Sequence, residues 1–148
     1  MLVLLALSGE PAPAAALPSI EGLWLSEKED AGILVEPCGR QLCGSIVWLA
    51  EPLDDDGTAK LDELNPDESL RSREVIGLRI LEGFPATPDK KKAWKGGRIY
   101  DPENGKTYRC TLTLAEPGRM KLRGFIGISL LGRTTYWRRV EQGGFPVR

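Results

Sequence analysis

Through residues 106–126 apolar and polar side chains alternate with a period of two. Tyr108, Cys110, Leu112 and Leu114 fall on one side, and Thr107, Arg109, Thr111 and Thr113 on the other. After Pro117-Gly118 the pattern resumes, with Met120, Leu122, Gly124 and Ile126 opposite Lys121, Arg123 and Phe125. Successive side chains of a strand point to opposite faces, so both runs read as half-buried strands folded back through a turn. A chain built on such runs must bury one face of a sheet and wet the other.

The same reading extends upstream. Residues 94–108, Trp-Lys-Gly-Gly-Arg-Ile-Tyr-Asp-Pro-Glu-Asn-Gly-Lys-Thr-Tyr, make another hairpin, turned at Pro102-Glu-Asn104-Gly105. In all, residues 20–25, 32–36, 42–49, 75–82, 92–100, 106–115, 119–126 and 134–140 read as short strands, most separated by Gly or Pro-Gly. Eight sequential strands with hairpin-length turns suit an all-β, up-and-down antiparallel barrel, because closure removes the exposed edges of an open sheet. A barrel of this strand number is about the size that holds one small ligand. One connection is long: residues 51–74, between strands 3 and 4, are acidic at first, then carry Asn65-Pro66-Asp67 and a short helical turn predicted over 67–73. Long connections in small domains are disproportionately functional.

The 148 residues suffice for one domain with a core. Residues 1–16 read as a signal peptide: residues 2–7 are apolar, and Ala12-Pro-Ala14-Ala-Ala16 supplies a small-residue cleavage pattern, placing the mature domain at 17–148. No basic residue precedes the apolar run, which is far shorter than the roughly 20 residues a bilayer-spanning helix needs. Loss of Glu10 leaves 20 acidic against 20 basic side chains, a balance that does not point to nucleic acid or an anionic membrane. A periplasmic or secreted location is expected. There Cys38 and Cys43, flanking the turn at Gly39, would form a local disulfide, while Cys110 alternates with apolar neighbours and should be buried.

Gly22-Leu-Trp24 opens the first strand and Trp137-Arg138-Arg139 lies on the last. This resembles the calycin and lipocalin superfamily, where a basic residue of the last strand packs over the indole of a Gly-x-Trp motif. The resemblance implies that Trp24 with Arg138 or Arg139 closes one end of the barrel. Further motifs are Cys38-Gly-Arg-Gln-Leu-Cys43-Gly, Asp62-Glu-Leu-Asn65-Pro-Asp67, Leu70-Arg71-Ser-Arg73, Trp94-Lys-Gly-Gly97, Tyr100-Asp101-Pro102, Gly105-Lys-Thr-Tyr108 and Leu122-Arg123-Gly124-Phe125. In this order they resemble DUF2147, a family of exported bacterial domains. That resemblance implies a calycin-like barrel and brings no activity or ligand.

Catalysis is poorly provided for. The chain has no histidine, so acid–base work would fall to groups whose pKa values need large shifts. Asp101, beside Tyr100 and Tyr108, is the one candidate, and as an Asp before Pro it is better explained as a turn former. Asp54, Asp56, Gly57 and Glu63 match four positions of a calcium loop, but Pro52 stands where the first carboxylate belongs. No cofactor or metal is expected. The expected function is non-enzymatic binding of a small, partly apolar ligand inside the barrel, by Trp94, Tyr100, Tyr108 and Arg123, with Arg71 and Arg73 at the lip. The alternatives are an envelope protein-interaction module with a fully packed barrel and, behind it, a carboxylate-dependent enzyme using Asp101.

Overall fold

The computed structural model describes Gly9, residues 18–125 and residues 132–147; the expected signal peptide lies otherwise outside the described residues. Strands β1 (Gly22–Leu25), β2 (Ala31–Cys38), β3 (Gln41–Leu49), β4 (Arg79–Pro85), β5 (Ala93–Asp101), β6 (Lys106–Glu116), β7 (Arg119–Phe125) and β8 (Arg133–Val140) follow in order around a closed barrel. Each pairs antiparallel with its neighbour, and β8 returns to β1 with Trp24 opposite Arg139. This is the up-and-down barrel that the alternation demands. Among the described residues no helix is long and apolar enough to cross a membrane.

Register decides which side chains enter the barrel. Cys110 lies between Gly97 and Gly124, Leu112 between Trp94 and Leu122, and Leu114 opposite Met120. Trp24, Ile33, Val35, Phe84, Trp94, Leu112, Met120 and Leu122 are all essentially inaccessible and belong to one core. Large rings need small neighbours at this density: a Cβ at Gly97 would come within 2.5 Å of the Phe84 ring, so only glycine admits Phe84 there. The interior is therefore a side-chain core.

One end is closed as the Gly-x-Trp resemblance implies, by Arg139. Its guanidinium lies 4.4 Å from the Trp24 ring centre and donates to the carbonyls of Ser19 (2.7 Å), Glu21 (2.6 Å) and Pro117 (3.1 Å). The Trp24 indole donates to the Ile20 carbonyl at 2.8 Å. Arg138, one residue back and on the opposite face, has no part in closure and pairs with Glu29 at 3.0 Å on the surface.

One further expectation needs correction. Strand β4 begins at Arg79 rather than 75, because the amide of Val75 bonds the Lys60 carbonyl within the long connection and Gly77 turns the chain with φ +95. Cys38 and Cys43 lie beside each other as unbonded thiols. The hairpin register places Cys38 opposite Gln41 and Cys43 opposite Glu36, so the two cysteines are diagonal neighbours across the β2–β3 ladder. Burial, then the neighbouring Cys38 thiol, pushes the Cys43 pKa up to about 11. Cys110 is buried as expected, its pKa pushed up to about 12 by burial.

Candidate functional site

The connection between β3 and β4 is ordered by its own polar side chains. The Asp62 amide bonds the Arg73 carbonyl at 2.8 Å, and Leu61 and Glu74 form a bridge, making a short ladder. Between these arms, the Asp67 carboxylate accepts from the Ser69 amide (3.0 Å) and hydroxyl (2.7 Å) and so caps a single 3-10 turn, Glu68–Leu70, inside the predicted helical stretch. The Asn65 side chain accepts from the Asp67 amide at 2.8 Å, and the Arg71 side chain donates to the Asn65 carbonyl at 2.7 Å.

Asp62 ties this assembly to the barrel. Its carboxylate is wholly buried and accepts from the Tyr100 hydroxyl (2.5 Å), the Asn65 amide group (2.9 Å) and Arg73 Nη2 (3.1 Å). A buried carboxylate is tolerable when its lone pairs are filled in this way. Burial, then the bond to Asp62, pushes the Tyr100 pKa up to about 12, so its hydroxyl stays a donor. A second anchor lies alongside. Gly105 closes the β5–β6 turn with φ +71, and a Cβ there would fall 2.0 Å from the Leu64 carbonyl oxygen. The long connection thus rests on the very turn that Pro102-Glu-Asn104-Gly105 builds.

Tyr100 faces Thr107 across the β5–β6 ladder, on the outer surface, while Ile99 and Tyr108 face inward. Consequently the connection covers the outer wall of β4 and β5. Between them lies a cavity of about 200 Å³, lined by Asn65 and Arg73 from the connection, Arg79, Ile80 and Glu82 from β4, Arg98 and Tyr100 from β5, and Thr107 from β6. Three guanidinium-bearing residues therefore border one small space. Arg73 is held by Asp62, and Arg98 reaches Glu82 at 3.5 Å. Arg79 makes no hydrogen bond or ion pair to a carboxylate among the described residues. Such a lining can receive a carboxylate or phosphate group through charge-assisted, bidentate hydrogen bonds.

Of the six expected ligand residues, the structure brings Tyr100 and Arg73 together and scatters the rest. Trp94 is inaccessible inside the barrel; its indole N–H is the buried side-chain polar atom left without an acceptor among the described residues. Tyr108 lies on the inward register, its hydroxyl accepting from Asn104 at 2.8 Å. Arg123 sits on the outer face of β7, donating to Gly132 and Thr134. Arg71 pairs with Glu68 at 3.7 Å and serves the connection itself. Asp101 accepts from the Glu103 amide at 2.9 Å, as a turn former does. Asp62, Arg79 and Arg98 were not singled out as ligand residues from the sequence. Alternation counted through the 94–108 hairpin sets Tyr100 apart from Tyr108 and beside Thr107, a signal that would have moved the site to the outer wall.

The fold has a solved counterpart. Protein HP1028 from Helicobacter pylori, described as belonging to the lipocalin family, superposes with a TM-score of 0.70 at 21% identity, over 86% of each chain. No curated protein matches the chain by sequence. The profile of DUF2147, described as an uncharacterized protein conserved in bacteria, matches residues 22–139, a span running from the glycine of the Gly-x-Trp motif to the arginine that covers its indole. With that span, its motifs in order and a lipocalin-like barrel beneath them, the chain belongs to the DUF2147 family.

Proposed function

We propose that this is an exported, non-catalytic binding protein whose ligand is a small molecule carrying a carboxylate or phosphate group, held in the cavity between the long connection and the outer wall of β4 and β5. The observation that carries the reading is the convergence of Arg73, Arg79 and Arg98 on a space of about 200 Å³, with Arg79 lacking a carboxylate partner among the described residues. The filled barrel core argues against the interior as the seat of a ligand. Export rests on the apolar run at 2–7 and the alanine-rich stretch after it.

Succinate and inorganic phosphate, titrated into isotopically labelled protein and followed by amide chemical shifts, test the site. Saturable shifts are expected at Arg73, Arg79 and Tyr100, with affinity falling about tenfold in Arg79→Ala, the scale of one charge-assisted contact. No saturable shift with either anion, or equal affinity in the variant, overturns the proposal. Shifts centred on Trp94 and Tyr108 would return the ligand to the barrel.

A second reading, an interaction module, draws on the exposed apolar residues of the connection, Leu53 and Leu64, which are 54% and 57% accessible. It requires binding to a protein partner that Arg79→Ala leaves intact and Leu64→Asp removes.

A further inference from the structure

Beside the arginine-lined cavity runs a larger groove of about 640 Å³, and the two share Arg73, Arg79 and Glu82 along their common border. They form one trough along the outside of β4. Its two ends differ in chemistry. The smaller end adds Arg98 with the Tyr100 and Thr107 hydroxyls. The larger end adds Ser45, Glu74 and the apolar pair Ile76 and Leu78, so its own charge is a single carboxylate.

Glu74 is placed there by the local backbone. It is the bridge partner of Leu61, an extended arrangement in which successive side chains diverge, so Arg73 reaches Asp62 while Glu74 is turned elsewhere. Glu74 makes no ion pair among the described residues. Ile76, 41% accessible, leaves an apolar side chain uncovered in the same groove. The arginine excess thus lies at the smaller end, where Arg98 joins Arg73 and Arg79, while the larger end adds the Glu74 carboxylate and the apolar Ile76 side chain.

We infer that the ligand is a short zwitterionic peptide, its C-terminal carboxylate among Arg73, Arg79 and Arg98, an apolar side chain against Ile76, and its ammonium group at Glu74. This rests on the anion site proposed above and adds to it the opposite pole and the ligand class. A groove of this size lies within the range of small-molecule sites. A planar carboxylate suits a guanidinium fork, and an ammonium needs a carboxylate acceptor that is not already engaged.

Three forms of one tripeptide, Ala-Ala-Leu with free ends, its C-terminal amide and its N-acetyl derivative, test the assignment by calorimetric titration of the full chain. The free peptide is expected to bind, amidation to weaken it at least tenfold, and acetylation to weaken it about five- to tenfold. In Glu74→Gln the free and acetylated forms should bind alike, with the urea unfolding midpoint unchanged. Acetylated peptide binding wild type as tightly as the free form, with amidation still harmful, overturns the zwitterion inference and leaves the anion site standing. Failure of the free peptide to bind a protein that binds succinate has the same meaning. Equal binding of the amide overturns both.

Discussion

Asp62 joins three donors that come from two parts of the chain, and its value lies in what is left if it goes. Asp62→Ala strips acceptors from Tyr100, Asn65 and Arg73 together, and the expected loss is about 2–3 kcal/mol, read as a lower urea midpoint. The Tyr100 pKa, raised from 10.0 to about 12, adds a pH signature. Between those values the unfolded chain has released the phenolic proton while the folded chain keeps it. The stabilisation from this bond is therefore complete below pH 10 and lost as pH rises towards 12. Unfolding at about pH 9.5 and about pH 11.5 should show wild type losing its advantage over Tyr100→Phe at the higher pH; a constant gap would disprove the linkage. In the sequence Asp62 stands only as the first residue of the Asp62-Glu-Leu-Asn65-Pro-Asp67 motif. Its bond to Tyr100, 38 positions away, depends on where a long connection is laid, and no local pattern records that.

At the scale of the element, the strands were legible and the connection was not. Period-two alternation marks β5, β6 and β7 because one face meets a core and the other meets water. Val75 and Leu78 broke the rule: both are apolar and belong to the buried core, but they precede β4. Hydrophobicity reports burial without naming the element. Gly105 shows the converse, a residue read as turn chemistry that also makes room for another segment. Gly105→Ala meets both a left-handed backbone and the Leu64 carbonyl, so a loss of about 1–3 kcal/mol is expected. Proteolysis should distinguish this from general weakening, since cleavage within 51–74 is expected to accelerate before the barrel strands become susceptible. Uniform acceleration throughout the chain would show that the Gly105 contact anchors nothing in particular.

For the whole molecule, closure comes down to the difference between two adjacent arginines. Arg139 covers Trp24 and satisfies three carbonyls, whereas Arg138 holds an exposed pair with Glu29. Arg139→Ala should cost about 2–3 kcal/mol, combining lost charge-assisted bonds with the cation–π contact. Arg138→Ala should remain within about 0.5 kcal/mol of wild type. Thermal or urea unfolding checks both, and equal effects would remove the distinction. The barrel was readable as a whole because each strand pairs with its sequence neighbour, and only the β1–β8 seam joins distant parts. Across that seam Arg139 meets the Glu21 carbonyl 118 positions away. Loop-closure entropy opposes such a contact until the intervening meander has formed. A chain caught before this step exposes the unpaired edges of β1 and β8, which are templates for joining other chains. By holding the seam shut, Arg139 and Trp24 guard the protein against aggregation as well as unfolding.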